Sequence, residues 1–226
     1  MLEDILFWER KWFLAINNAH SSFLDQGMLL YSGMIAWIPF VVFLFFLLVY
    51  KKDRKEYLPV IIAIITVVLV GNLVSGLIFK PFFQRLRPTF HPDFVNEVKT
   101  VLGYTGGGLY GFISGHSTFS FGIATFTTLL FRYKPYGWTV FAWAIIMVYS
   151  RLYLGVHFLS DVLPGMITGM LIGWGVYAGF LYFRRKQYPE QQDHELSSYS
   201  GYRKRLLTIV LAGYILLIFL IGLIQR

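Results

Sequence analysis

Long apolar segments separated by short charged segments dominate this sequence. The apolar segments cover residues 26–50, 58–79, 117–131, 138–149, 160–183 and 206–224. A helix as long as the second segment extends about 33 Å at about 1.5 Å per residue, which is enough to cross a bilayer. The pattern therefore predicts an all-α protein, a bundle of six transmembrane helices.

Individual residues refine this prediction. Pro39 predicts a kink in the first span, and Lys80 is the first residue expected outside the second. The third span is expected to begin near Ser114 or one turn later, and the fourth to continue toward Arg151. The fifth span carries glycines at four-residue spacing, which permits close helix packing: Gly165, Gly169 and Gly173.

Residues 1–25 precede the first span and mix apolar with charged positions. Acidic residues near the start and the lack of a small-residue cleavage site argue against a signal peptide. The apolar positions recur at helical spacing, which predicts an amphipathic helix in the membrane interface, followed by a membrane domain over residues 26–226. These positions include Leu2, Ile5, Leu6, Trp12, Phe13 and Ile16.

The composition also indicates an integral membrane protein. Of the 226 residues, 56% are hydrophobic and 19% aromatic, and the mean hydropathy is +0.58, which leaves too little polar surface for a soluble domain. There is no Cys, so disulfides and Cys-ligated metals are excluded. The net charge of +8 comes from short basic clusters between apolar segments. An inside-positive bias explains such clusters better than nucleic-acid binding, and no obligatory protein partner is evident.

The distribution of basic residues predicts the orientation. Six spans would place the loops at 51–56, 132–137 and 184–205 on one side, where they hold twelve Lys or Arg residues. The other side holds eight, and five remain when three candidate site residues, Lys80, Arg87 and Arg151, are set aside. The positive-inside rule then puts the 184–205 loop in the cytoplasm of a multi-pass cell-membrane protein. The loop at 80–113 and the segment at 150–161 would face outward.

The segment at 150–161, SRLYLGVHFLSD, contains the most informative charges. It places Arg151, His157 and Asp161 between two apolar segments, where such charges are costly and usually functional. If the segment from His157 onward is helical, Asp161 lies one turn away on the same face. It could then orient the imidazole and leave one nitrogen free to attack. The alternative is a helix cap or an interfacial anchor.

Two more clusters lie on the same predicted face. Lys80 and Arg87, within KPFFQRLRP, are fixed cations at a membrane boundary; the alternative is ordinary snorkelling. Ser114-Gly115-His116 falls at the expected start of the third span, where a Ser cap, a flexible Gly and helix amides favour an anion; the alternative is a plain cap. Together the three clusters supply what phosphoryl transfer requires.

The order and spacing of these residues resemble a known signature. K-x6-R-P at Lys80 and Arg87, S-G-H at 114–116, and S-R-x5-H-x3-D from 150 to 161 look like the three motifs of the type-2 phosphatidic acid phosphatase superfamily. The resemblance covers a core at about residues 57–183. One departure is Ile113, where the family commonly has proline.

The resemblance implies a role for each residue. His157 would attack phosphorus to form a phosphohistidine, Asp161 would orient it, and His116 would protonate the leaving oxygen and then activate water. The phosphate would be held by Lys80, Arg87, Ser114, Gly115 and Arg151. No cofactor and no metal are implied, because cations take the place of Mg²⁺.

Several alternatives remain at this point. The substrate could be undecaprenyl pyrophosphate, phosphatidylglycerophosphate, phosphatidic acid or a lipid A phosphate. A non-catalytic lipid or anion carrier would use the same cations, but it would not need two His and an Asp. A vanadate haloperoxidase fits the motifs but not six spans. The residues that follow the first motif either select the head group or form a solvated loop: His91, Asp93, Glu97, Lys99, Tyr104 and the Gly106–108 run.

Overall fold

The computed structural model describes residues 2–187 and 199–224, and in these ranges it is helical with no β-strand. The all-α prediction is therefore confirmed. The α-helices are α1 (Leu2–Asn17), α2 (Ser22–Ser32), α3 (Ile38–Val49), α4 (Arg54–Asn72), α5 (Lys80–Phe83), α6 (Gly115–Phe131), α7 (Lys134–Tyr153), α8 (Leu159–Gln187) and α9 (Gly201–Ile224). Part of the predicted 184–205 loop belongs to α8 and α9, and residues 188–198 lie outside the described residues.

The N-terminal boundaries differ from the prediction. α1 ends at Asn17, and the Ser21 side chain caps α2 by accepting a hydrogen bond from the Leu24 amide, so the expected boundary at residue 25 falls inside α2. The first span bends by 76° between α2 and the helical segment 35–49. The bend falls at Gly33 and Met34, whereas Pro39 sits in the first turn of α3, a position that needs no amide donor. The prediction of a kink at Pro39 is therefore wrong.

The second predicted span is longer than expected. A wider π-type turn at Leu73–Phe79 joins α4 to α5, and the helical segment continues over Arg54–Phe83. Lys80 is thus a residue of the last helical turn and not the first residue beyond it. Gln84 ends the helix in the left-handed conformation.

α6 and α8 pack closely, because glycines of α8 face the backbone of α6. A Cβ added at Gly169 would meet the Thr118 carbonyl oxygen, and one at Gly173 would meet the Gly122 carbonyl oxygen. This confirms the close packing predicted from the four-residue glycine spacing. The contact fixes the start of α8 beside the start of α6.

Only some of the predicted spans meet a length and hydropathy criterion. Within the described ranges, Arg54–Phe83, α8 and α9 are long and apolar enough to cross a membrane, and the bent pair α2 and α3 would be a fourth span. The structure thus agrees with a membrane-helical protein, whereas the number six is not confirmed. Both α6 and α7 pack in the apolar core beside these helices.

Candidate active site

His157 lies in the turn between α7 and α8. Gly155 makes this turn with a φ of +72°, and a Cβ there would meet the Val98 side chain at 2.5 Å. α8 begins at Leu159, so His157 precedes the helix, and the predicted shared helical face is wrong. The two side chains are nevertheless close, since His157 Nδ1 lies 3.5 Å from Asp161 Oδ2.

The His157 tautomer follows from its other nitrogen. Nε2 lies 2.9 Å from Nη1 of Arg87, and a guanidinium can only donate. Nε2 must therefore accept, which leaves the proton of the neutral ring on Nδ1, directed toward Asp161. An unprotonated Nε2 beside a cation is the arrangement that nucleophilic attack on an anion requires.

Backbone carbonyls hold Arg87 in place. Its Nε donates to the Gly108 carbonyl at 2.7 Å and its Nη2 to the Gly107 carbonyl at 3.1 Å. Nη1 also donates to the Val156 carbonyl at 2.9 Å. The Gly106–108 run therefore lies along the guanidinium, and a Cβ added at Gly106 would come within 3.2 Å of Arg87 Nη1.

Arg151 is buried at the end of α7. Its Nη1 donates to Ser32 Oγ and its Nη2 donates to the Tyr104 hydroxyl at 3.1 Å. Its Nε has no hydrogen-bond partner among the residues that the structure describes. A buried cation with an unused donor can take an anionic oxygen. Tyr104 thus contacts a residue of the site. Neither of the two interpretations of its loop had specified this contact.

The start of α6 also contributes to the candidate site. Ser114 is fully buried and caps α6, its side chain accepting from the Ser117 amide at 3.4 Å, and its own amide donates to the Asp161 carbonyl at 3.0 Å. A Cβ added at Gly115 would come within 3.3 Å of Ser75 Oγ. The predicted cap at Ser114 is confirmed. It ties the S-G-H motif directly to the segment with Asp161.

The electrostatic interactions show that the predicted residues form one cluster. His116 interacts with Arg151, His157 and Arg87, and Lys80 interacts with Arg87, Arg151 and Asp161. The structure therefore brings the three motifs together. Their cations, two imidazoles and one carboxylate lie close enough to interact with one another.

Burial affects the ionisation of His157 and Arg87, which lie outside the long helices. Desolvation, followed by the charges of Arg87, Arg151 and Lys80, holds the pKa of His157 well below 6.5. Burial lowers the pKa of Arg87 to about 10. At neutral pH His157 is therefore neutral and Arg87 remains charged, which favours attack by the imidazole on a bound anion.

The structure adds residues that sequence reasoning had missed. Arg85, counted as an ordinary basic residue, donates through Nη1 to Asp161 Oδ1 at 2.8 Å, and Nη2 pairs with Glu9 Oε2 at 3.0 Å. Its place inside KPFFQRLRP was the only signal. No sequence signal pointed to Glu9, because α1 is far from the three motifs in the sequence.

Several other loop residues contact α1. Glu97 pairs with Arg10, and the Lys99 amide donates to Asn17 Oδ1 at 2.8 Å. His91 packs edge-on against the Phe158 ring at 6.0 Å. The loop is thus anchored by a helix, and it is not simply solvated.

The residues of the three motifs lie within a recognised family domain. The PAP2 superfamily model matches residues 56–185, more than half of the chain. The chain therefore belongs to the PAP2 superfamily, as the three motifs had predicted, and the prediction of a phosphatase is confirmed.

Relatives over most of the length are phosphatases. The chain is 41% identical over 215 residues to a lipid A 4'-phosphatase of Porphyromonas gingivalis, covering 95% of this chain and 91% of that protein. It is 25% identical over 167 residues to the undecaprenyl-diphosphatase BcrC of Bacillus subtilis, covering 73% and 76% of the two chains. Neither a carrier nor a haloperoxidase is among these relatives.

Two solved structures have similar folds. LpxE from Aquifex aeolicus superimposes with a TM-score of 0.54 at 26% identity, covering 74% of this chain and 93% of that one. A phosphatidylglycerolphosphate phosphatase of Bacillus subtilis superimposes with a TM-score of 0.56 at 21% identity, covering 83% and 90%. The second likeness concerns the fold alone.

Proposed function

We propose that this protein removes a phosphate group from lipid A through a phosphohistidine intermediate. The observation that carries the reaction is the position of the His157 imidazole, whose Nε2 lies 2.9 Å from Arg87 Nη1 and whose Nδ1 lies 3.5 Å from Asp161 Oδ2. The choice of lipid A is supported by two relatives named lipid A 4'-phosphatase, of which the second, from Bacteroides thetaiotaomicron, is 29% identical over 177 residues.

In the first step, His157 Nε2 attacks phosphorus and the bond from phosphorus to the sugar oxygen breaks. His116 donates a proton to the departing oxygen. Asp161 stabilises the positive charge that develops on the imidazole. The phosphoryl oxygens accept hydrogen bonds from the side chains of Lys80, Arg87 and Arg151. They also accept from the Ser114 hydroxyl and the Gly115 amide.

In the second step, a water molecule attacks the phosphohistidine. His116, now neutral, accepts a proton from that water, and the nitrogen–phosphorus bond breaks to release inorganic phosphate. Both steps use protein cations to stabilise the transition-state charge, so the reaction proceeds without a metal ion.

The site is proposed to face away from the cytoplasm in a cell membrane, with six spans counted by including α6 and α7. The basic loops support this orientation through the positive-inside rule. The lipid tails would stay in the bilayer while the phosphate enters between the start of α6 and the turn before α8.

The proposal is tested with purified full-length protein in detergent. Phosphate release is measured with lipid A carrying phosphates on both sugars, undecaprenyl pyrophosphate, phosphatidylglycerophosphate and phosphatidic acid, and mass spectrometry identifies the remaining phosphate on lipid A. The fastest release is expected from lipid A, in the presence of EDTA, with inhibition by vanadate as a transition-state mimic. Faster turnover of another lipid would contradict the substrate, and strict dependence on a divalent ion would contradict the mechanism.

A further inference from the structure

The Asp161 carboxylate is fully buried and held by two partners besides His157. Oδ2, the oxygen that faces His157, accepts from the Phe158 amide at 2.9 Å. Oδ1 accepts from Arg85 Nη1 at 2.8 Å. A buried carboxylate is stable only when a charge or donors compensate it. Arg85 therefore supports the charge on Asp161 and limits the rotation of the carboxylate relative to His157.

Arg85 is held on its other side by a residue of α1. Its Nη2 pairs with Glu9 Oε2 at 3.0 Å, and its guanidinium lies over the Phe158 ring at 4.6 Å from the ring centre. The planar fork of an arginine can bridge two carboxylates, which the single nitrogen of a lysine does with poorer geometry. Arg85 thus connects Glu9 to Asp161.

Glu9 uses its second oxygen at the start of α8. Oε1 accepts from the Ser160 amide at 3.0 Å and also from the Ser160 hydroxyl. The Glu9 side chain is only 11% exposed. A carboxylate at the first turn of a helix satisfies free amides and interacts favourably with the helix dipole. Glu9 therefore fixes both Arg85 and the turn that carries Asp161.

From these contacts we propose that Glu9 and Arg85 are positioning residues for the nucleophile. Glu9 positions Arg85, Arg85 positions the Asp161 carboxylate, and that carboxylate, 3.5 Å from Nδ1, orients the His157 ring. The inference rests on the proposed function, since it takes His157 as the nucleophile. In this arrangement α1 completes the active site, although it lies outside the matched family domain.

The consequence is a specific kinetic pattern. Neither residue is among those assigned to the phosphate, so their loss leaves KM unchanged and lowers kcat. A misplacement of about 1 Å costs about 100-fold in rate, which is the fall expected for Arg85→Gln. Arg85→Lys retains the charge and should recover part of kcat. Glu9→Gln should lower kcat less than Arg85→Gln, because Arg85 can still reach Asp161.

A matched control lies one residue further along α1. Arg10 pairs with Glu97 and its guanidinium lies over the Phe94 ring at 5.0 Å. Arg10→Gln thus weakens the docking of α1 on the same loop without touching Asp161. It should retain wild-type kcat.

The experiment measures kcat and KM on one lipid phosphate for the wild type and these four variants, with melting temperatures as a check of folding. Wild-type kcat in both Glu9→Gln and Arg85→Gln would overturn the inference, as would an equal fall in Arg10→Gln, since docking alone would then explain the loss. If Arg85→Gln does not fold, Arg85→Lys and Glu9→Gln decide.

A second measurement is independent of turnover. NMR of nitrogen-labelled histidine, with His157→Asn to assign the signal, should show an Nδ1-protonated ring in the wild type. In Arg85→Lys and Glu9→Gln the Nδ1 signal should shift, because the carboxylate 3.5 Å away has moved, while Arg87 keeps Nε2 unprotonated. An unchanged Nδ1 chemical shift in both variants would overturn the inference. A wild-type protein with this tautomer but no phosphate release would instead contradict the proposed function.

Discussion

His157 combines two properties that are usually in conflict. It is buried and neutral, yet its unprotonated nitrogen lies 2.9 Å from Nη1 of the Arg87 guanidinium. The neighbouring cations oppose protonation of the ring and would attract a phosphate. A substrate anion would neutralise those cations, and the imidazolium formed by attack would then be tolerated beside Asp161.

We expect His157→Ala to abolish phosphate release while the protein remains folded. No neighbouring group can replace a nucleophile, whereas one imidazole contributes modestly to packing in a turn. Initial rates in detergent and the melting temperature check both statements. Release within about tenfold of wild type would show that another residue attacks phosphorus.

The lowered pKa of His157 predicts a pH dependence of stability. The folded protein keeps this ring neutral, whereas in the unfolded chain it binds a proton below about pH 6.5. The contribution of the neutral His157 ring to the free energy of unfolding is therefore present above about pH 6.5 and is lost as the pH falls below that value. The melting temperature should decline on acidification, and the decline should be smaller in His157→Asn. Parallel pH profiles for the two proteins would contradict the prediction.

At the scale of secondary-structure elements, the contact between α6 and α8 places the motifs beside each other. α6 presents the capped start with Ser114, and α8 presents the first turn with Asp161, and the two are joined by a backbone hydrogen bond of 3.0 Å. Helices with ordinary side chains at the contact stay about 8–10 Å apart. Glycines shorten that separation.

Gly169→Leu should therefore destabilise the protein strongly. The added side chain would meet the Thr118 carbonyl of α6, which cannot move without its helix, and overpacking of this kind costs about 1–3 kcal/mol or more. Gly175→Ala on the same helix is the control, because a Cβ there meets nothing within 4 Å. A melting temperature unchanged in Gly169→Leu would mean that the two helices are further apart than described.

At the scale of the whole molecule, the described residues divide the charges between two ends. The site cations lie where α4–α5 and α7 end and where α6 and α8 begin. At the opposite end, Arg203 donates to the carbonyls of Leu47 and Tyr50, and Arg132 ends α6. Through the positive-inside rule, this division supports the proposed sidedness in the membrane.

Labelling of single cysteines tests the sidedness. The chain has no Cys, so Lys99→Cys in the site loop and Lys134→Cys at the start of α7 give clean probes, both at exposed positions. In intact cells an impermeant thiol reagent should label the first and not the second. The reverse result would put the site in the cytoplasm and change the substrate pool.

The sequence by itself determined the helical class, the membrane character, the three motifs and their shared end of the bundle. Hydropathy and motif order are properties of consecutive residues, so they can be identified before folding is known. Local rules also predicted the Ser114 cap and the glycine contact of α8.

Only the tertiary structure decided how His157 is held. Several local predictions were wrong. For example, α8 starts after His157, and the bend of the first span lies at Gly33 and Met34, not at Pro39. The partnership of Glu9 with Arg85 spans 76 residues. Such a contact depends on where α1 docks, and docking is set by side chains from several helices together, which no single stretch of sequence contains.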